Sequence, residues 1–453
     1  MDISTLPTSN SGIGFHYYPD DLHYRDVDLN AWLPELIAMR VSWLTLRSKP
    51  ERGIPEAFIK GILAAGIEPI VHIRPNEIQR LDLNALDLQF TSYAHWGVRF
   101  VVVFDRPNAR DAWSGDQFGR VDLVERFLDI WLPIVELAQQ SGIACVLPPL
   151  EQGGTYWDTS FITGVIKGLQ RRGKQSLLDE LIISCYSFAG LQKHDYGAGG
   201  PAVWKESKPY QTPASSQNQL GFRSFEWYAA AVETNLGAHR PILMLAGGAR
   251  LGEMSPSTGE IVDAAWHAST NLTIAREYLA GNYPDYLLNV NFWLLATKAN
   301  DPDAQASWFH SDGAAVQAVA ELKTYARRRR QTRSEKSNKG VGVSAGGAVK
   351  VLQHYLLLPR YEGVASGWHW NFVGDIVRTY QPTCGYSPEE ARHARHVTLV
   401  GDERGISQSI EEQLIQAGCS VERISSDDPV VAHKEITTAA LNLTTHTENG
   451  ISQ

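Results

Sequence analysis

Two stretches carry the side chains best suited to chemistry. Residues 100–108, FVVVFDRPN, run from apolar β-formers straight into Asp105, Arg106 and Asn108; residues 143–151, IACVLPPLE, end in Glu151. Two carboxylates at successive strand ends are what paired acid and base work requires, one group to give a proton and one to take it. Asp105 with Glu151 is therefore the candidate catalytic pair. The arginine beside them adds a fixed cation whose planar fork binds carboxylates bidentately, so a ligand at Arg106 is expected to be anionic. An ion pair between Arg106 and a neighbouring acid is the structural alternative. Other apolar runs also end in polar or aromatic residues: His16, Arg47, His72, Tyr186 and Trp293, with Trp113 shortly after Asn108. Together with Asp105, Arg106, Asn108 and Glu151 these form the expected substrate-binding set. Aromatic rings at such places offer a face to a pyranose and an edge to its hydroxyls.

No metal or cofactor is expected. None of the four cysteines lies in a Cys-x-x-Cys pair, the fourteen histidines include no His-Glu-x-x-His, and RHARH (392–396) reads as a solvated helix face.

Something must hold these tips together, and the spacing of apolar runs says what. Eight short β-branched runs recur at 12–18, 41–48, 68–75, 99–107, 143–151, 181–189, 241–249 and 286–296. Helical patterns lie between them, such as 54–66, 123–142, 225–237 and 314–330; the second of these ends at Gly142, a suitable C-cap. Strand and helix alternating eight times over roughly 310 residues predicts an α/β fold, a (β/α)8 TIM barrel. An open doubly wound sheet is the weaker alternative, since no Gly-x-Gly-x-x-Gly follows the first run. In a barrel the chemistry gathers where strands end. The connection over 190–224, rich in Gly, Pro and aromatics, reads as a lid or binding loop.

The chain has 453 residues, 43% of them apolar, enough for more than one domain. The expected division is a barrel over 1–325, a basic then Gly/Ser-rich linker over 326–348, a small α/β module over 349–430 and a polar, frayed tail over 431–453. A net charge of −9 opposes nonspecific attraction to nucleic acid or anionic membranes, and no apolar run is long enough to span a bilayer. The N-terminal MDISTLPTSNSGIG shows no secretory leader, so a cytoplasmic location is expected unless a leader was removed.

Through FDRPN (104–108), PILMLAGGARLG (241–252) and NFWLLA (291–296), the sequence over roughly residues 12–310 resembles the clan A glycoside hydrolases. FDRPN (104–108) looks like their fourth-strand motif Asn-Glu-Pro-Asn, PILMLAGGARLG (241–252) like the seventh strand, and NFWLLA (291–296) like the eighth, whose Trp stacks under the sugar. The resemblance implies an acid/base Glu at the position of Arg106 and a nucleophilic Glu at Ala246, or at Leu245 in a register one residue earlier. Both carboxylates are replaced. A retaining site needs two carboxyl groups about 5 to 5.5 Å apart; alanine cannot attack, and arginine does not release a proton near neutrality. The expected function is a carbohydrate-binding, glycoside-hydrolase-like protein impaired in catalysis, a pseudoenzyme. The alternatives are an active glycoside hydrolase with relocated carboxylates and a scaffold for protein interaction.

In the second module, HVTLVGDERGISQSIEEQLIQAGCSVERI (396–424) resembles part of the family 2 cell-wall-binding repeat. That resemblance implies a cell-wall polymer as partner. Strand-like 351–359, helical 368–380, strand-like 396–401, helical 407–418 and strand-like 420–424 make up the expected α/β layer.

Overall fold

The computed structural model describes residues 10–255, 258–326, 352–361, 364–365 and 383–424. The chain forms two compact units, Met1–Glu335 and Lys336–Gln453.

In the first unit all eight runs are strands: β1 (Ile13–His16), β2 (Trp43–Ser48), β3 (Glu68–Ile73), β4 (Phe100–Val103), β5 (Ala144–Val146), β6 (Ile183–Phe188), β7 (Ile242–Gly248) and β8 (Val290–Phe292). They pair in parallel in the order β5-β4-β3-β2-β1-β8-β7-β6. The two ends of that order meet at a single residue. Leu147 accepts from Ser184 at 3.0 Å and donates to Ile182 at 2.9 Å, closing the sheet into a barrel.

A helix follows each strand: Asp26–Ala38, Glu56–Ala64, Leu83–Trp96, Leu123–Gln140, Asp158–Arg171, Ser224–Leu236, Ala264–Ala280 and residues 317–326. Local chemistry sets their ends. Asp82 and Asp263 accept from backbone N–H groups of the first turn, satisfying donors that the helix leaves free. After Gln140 the cap is Ser141, and the expected Gly142 follows it in the left-handed conformation, at φ 78°.

Period-two alternation builds two cores. On β4, Phe100 and Val102 face the barrel axis with Trp43, Ile70, Val146, Leu243, Leu245 and Ala246, while Val101 and Val103 face the helices. Above the apolar floor the interior turns polar. Thr45 donates to Leu245 O at 2.8 Å and accepts from Asn291 at 2.9 Å. Gly14 makes room for this network, since a Cβ there would fall 2.0 Å from Asn291 Oδ1. The same alternation carries His16, Arg47, His72, Tyr186 and Trp293 into the topmost inward layer.

The second unit has a parallel sheet in the order β12-β9-β13-β14, from β9 (Leu352–Leu357), β12 (Thr383–Gly385), β13 (Ala394–Val400) and β14 (Ser420–Ile424). A two-residue antiparallel pair, β10 (Arg360–Tyr361) and β11 (Val364–Ala365), lies between β9 and β12 in the chain. Helices Pro388–Ala391 and Gln408–Gln416 accompany the sheet, and Tyr355, Leu357, Val397, Leu399 and Leu414 form its core. Strand β12 was not anticipated from the sequence. The expected helix over 368–380, nearly all of the 326–348 linker and the tail lie outside the described residues.

Candidate functional site

The tip of β4 takes an irregular path. Phe104 and Arg106 hold φ values of 79° and 46°, left-handed conformations that bulky side chains rarely adopt. The backbone is held there from both sides: Phe104 N donates to Ile73 O at 3.0 Å, and Arg106 N to Pro149 O at 2.9 Å. The contour lets Asp105 and Arg106, adjacent in sequence, both reach the barrel mouth.

Asp105 is nearly buried and fully engaged. It pairs with Arg74 at 2.8 Å, accepts from the Tyr186 hydroxyl at 2.7 Å and receives Arg106 Nε at 3.3 Å. Burial pushes its carboxyl upward, but Arg74, His72, the Tyr186 hydrogen bond and Arg106 together hold it below the usual carboxylate range. Asp105 therefore stays ionised and is not suited to give a proton.

Arg106 reaches three carboxylates: Asp105, Asp111 at 3.0 Å, and Glu151 through Nη1. Although burial opposes the charged form, Glu151, Asp105 and Asp111 raise the guanidinium further. The ion-pair alternative is thus what the structure contains. A guanidinium also sits between Asp105 and Glu151, where an inverting pair would need room for water.

Asn108 and Trp113 stand apart from this mouth. Asn108 is wholly buried; its side chain donates to Glu151 O and Tyr156 O, both at 2.9 Å, and accepts from Glu151 N at 2.8 Å. It pins the β4 tip to the β5 loop and so positions Glu151 from behind. Trp113 is buried, donating to Pro107 O at 2.9 Å with Arg126 over its ring. Neither lines the cavity, a correction to their expected ligand contact: closeness to the tip in sequence did not reveal that both turn sideways into packing.

Three further expected residues, at the ends of β1, β2 and β3, are not among those that line the cavity. His72 is fully buried, with Nε2 against Phe104 O at 2.8 Å, and burial lowers it to about 4 despite Asp105. His16 is equally buried, packs against Trp293 with centroids 4.6 Å apart and the rings tilted by 53°, and has neither ring nitrogen hydrogen-bonded. Burial and then His72 hold it well below the ordinary histidine value. Arg47 donates to Pro19 O, and burial followed by Arg74 lowers its guanidinium.

The cavity measures about 750 Å³, within the range of small-ligand sites. Of the expected residues, Asp105, Arg106, Glu151, Tyr186 and Trp293 line it. Of the other strand-end or loop aromatics, Trp43 and Trp308 belong to the cores. Ala246 and Leu245 are wholly buried in the inner layer and do not reach the cavity.

Sequence reading missed a second group of lining residues, Phe188, Arg250, Glu253 and Asp303. Arg250 lies 4.2 Å over the Phe188 ring and is gripped by Glu253 at 2.6 and 3.2 Å. Asp303 makes no ion pair among the described residues; burial and Asp301 raise its carboxyl, against Arg250 and Trp293. A signal existed in the RLGE following the β7 glycines, whose arginine and glutamate sit three apart. The lining holds three guanidinium groups against four carboxyl groups.

The 190–224 connection contributes Gly190, Leu191, Gln192 and Leu220 to the cavity wall. It is anchored, since Gln152 donates to Gln219 O at 3.0 Å and Gly221 O at 2.8 Å. The buried Asp158 accepts from Gln219 at 2.8 Å and from Tyr228 at 3.0 Å.

No family model and no curated protein matches the chain. Solved structures do. A family 39 glycoside hydrolase from Bacteroides cellulosilyticus WH2 is 13% identical, covering 69% of this chain and 63% of that one, with a TM-score of 0.46. This chain thus spans less than two thirds of that protein's length. A subgroup II GH128 endo-β-1,3-glucanase from Sorangium cellulosum is 14% identical over 69% and 97%, TM-score 0.40. An endoglucanase from Thermotoga maritima is 10% identical over 69% and 97%, TM-score 0.40.

Proposed function

We propose that this protein binds carbohydrate in the barrel-mouth cavity and does not hydrolyse it by a retaining mechanism. The observation that carries the reading is the Arg106 network: a guanidinium, held by Asp105, Asp111 and Glu151, occupies the place where the resemblance implies an acid. The cavity keeps what recognition needs. Tyr186, Phe188 and Trp293 supply aromatic faces, and the ion-paired side chains around them offer fixed donors and acceptors for hydroxyl groups. The likeness of the second module to a wall-binding repeat makes cell-surface polymers the first ligands to try.

One observation favours a second reading, an active hydrolase with relocated carboxylates. Asp303 is a cavity carboxyl in no ion pair among the described residues and is shifted upward, as a general acid requires. A paired assay separates the two: binding to a glycan array beside hydrolysis of an oligosaccharide panel, with native chain and Asp303→Asn. Binding without turnover supports the binding protein. Turnover by the native chain, lost in Asp303→Asn, replaces it with the hydrolase.

A further inference from the structure

Among the cavity's own cations none is available to an incoming anion, because Arg74 pairs with Asp105, Arg106 with three acids and Arg250 with Glu253. Arg47 differs. It stands at the end of β2 in register with His72 of β3, and alternation points it into the uppermost inward layer. Its Nη1 donates to a neutral acceptor, Pro19 O, while its Nε is buried without a hydrogen-bond partner. No carboxylate lies within ion-pair distance of it among the described residues. The acids of the loop after β1 are taken up elsewhere: Asp20 by His23 at 2.8 Å and Lys298 at 3.2 Å, Asp21 by Lys49 at 3.8 Å.

The surroundings repeat the pattern. Both ring nitrogens of His16 and Nδ1 of His72 are buried and unpartnered, and both rings are wholly enclosed. A cation with an orphaned N–H beside unsatisfied imidazoles is costly unless an anion or hydrogen-bonding group completes it. The layer also adjoins the cavity. Trp293, whose ring meets that of His16 at a tilt of 53°, lines it, and Arg47 feels the charges of the cavity residues Arg74 and Asp105 as well as that of Asp21.

We propose that the β1–β2 side of the mouth is a site for one carboxylate, held by the Arg47 guanidinium, so that the preferred ligand is an acidic sugar whose ring meets Trp293. The inference rests on the carbohydrate reading above and moves the anion contact expected at Arg106 to Arg47.

The test titrates the full chain with glucuronate, glucose and acetate, by calorimetry and by tryptophan fluorescence. Glucuronate is expected to bind at least tenfold more tightly than glucose, an interval of about 1.4 kcal/mol. Arg47→Gln is expected to abolish that preference, and Arg47→Lys, keeping charge without the fork, to retain part of it; circular dichroism establishes that both variants fold. Equal binding of glucuronate and glucose overturns the proposal, as does a preference that survives Arg47→Gln or is removed by Arg106→Gln instead. Acetate binding as tightly as glucuronate, with glucose unbound, overturns the carbohydrate reading while the anion site stands. Absence of binding by all three overturns both.

Discussion

On the β3–β6 side of the barrel mouth, charges meet charges: Arg74 with Asp105, and Arg106 with Asp105, Asp111 and Glu151. On the β8–β2 side, the Arg47 Nε and both His16 nitrogens are buried with no hydrogen-bond partner among the described residues. Both sides come from the same layer of strand ends in one closed sheet. The difference teaches that a conspicuous charge is not by itself a binding group. Once Arg106 is surrounded by acids, it stabilises the tip that carries it. The groups left unsatisfied by the fold are those for which a ligand adds the most.

The sharpest way to break this comparison is to remove a partner from the saturated side. Asp105→Ala leaves Arg74, Arg106 and the Tyr186 hydroxyl facing each other in a nearly buried place, and a loss of about 3–5 kcal/mol in denaturant unfolding is expected. A loss under about 1 kcal/mol would mean that the network is solvated and that the two sides do not differ. Asn108→Ala should follow at about 2–3 kcal/mol, because it removes three hydrogen bonds at the β4–β5 junction and orphans Tyr156 O and Glu151 N, while Glu151 O keeps the Gly154 N–H at 3.1 Å. Saccharide binding should weaken along with it only through displacement of Glu151, so a variant of native stability would contradict the pinning role.

The two buried histidines, His16 on the unsatisfied side and His72 on the other, are expected to show themselves through pH. His16 and His72 are held neutral by burial, so the unfolded chain binds protons first, near pH 6.5, while folded His72 resists to about 4. Stability is therefore complete above the unfolded value and falls as pH drops through this window, by about 1.4 kcal/mol per pH unit for each histidine. Asp105 has the opposite charge type and a lowered folded value, so its contribution is present above about pH 3.9 and is lost only at lower pH. Unfolding midpoints between pH 7 and 4.5 check this, and His72→Asn should remove that residue's share of the slope. The smallest effect belongs to Trp113→Phe, at about 1 kcal/mol for its hydrogen bond to Pro107 O, with saccharide affinity unchanged.

Why the strand ends were legible and their partnerships were not follows from these same residues. Apolar runs with period two are local, so the eight strands, and with them Asp105, Arg106, Tyr186 and Trp293 at the mouth, can be read directly. The turn at Phe104 and Arg106 breaks local rules, since neither residue favours positive φ, and that turn decides that Arg106 meets Glu151 and Asp111. Arg250, Glu253 and Asp303 come from loops, where no periodicity marks a side chain as facing the site. Asn108 and Trp113 show the reverse error, residues near a tip whose polar atoms serve the backbone.

The barrel's closure through Leu147 has a mechanical side. Elsewhere around the sheet, neighbours share several registered residues or a second bridge, whereas β5 and β6 are joined at one residue, Leu147, by two backbone hydrogen bonds and one from the Ser184 hydroxyl at 2.7 Å. A closed cylinder with one thin stave joint breathes there first, and amide hydrogen exchange should be fastest along that seam. Glu151 follows the joint by four residues, so brief opening of the barrel would loosen one arm of the Arg106 cluster while leaving Arg74 and Asp105 clasped on the far side.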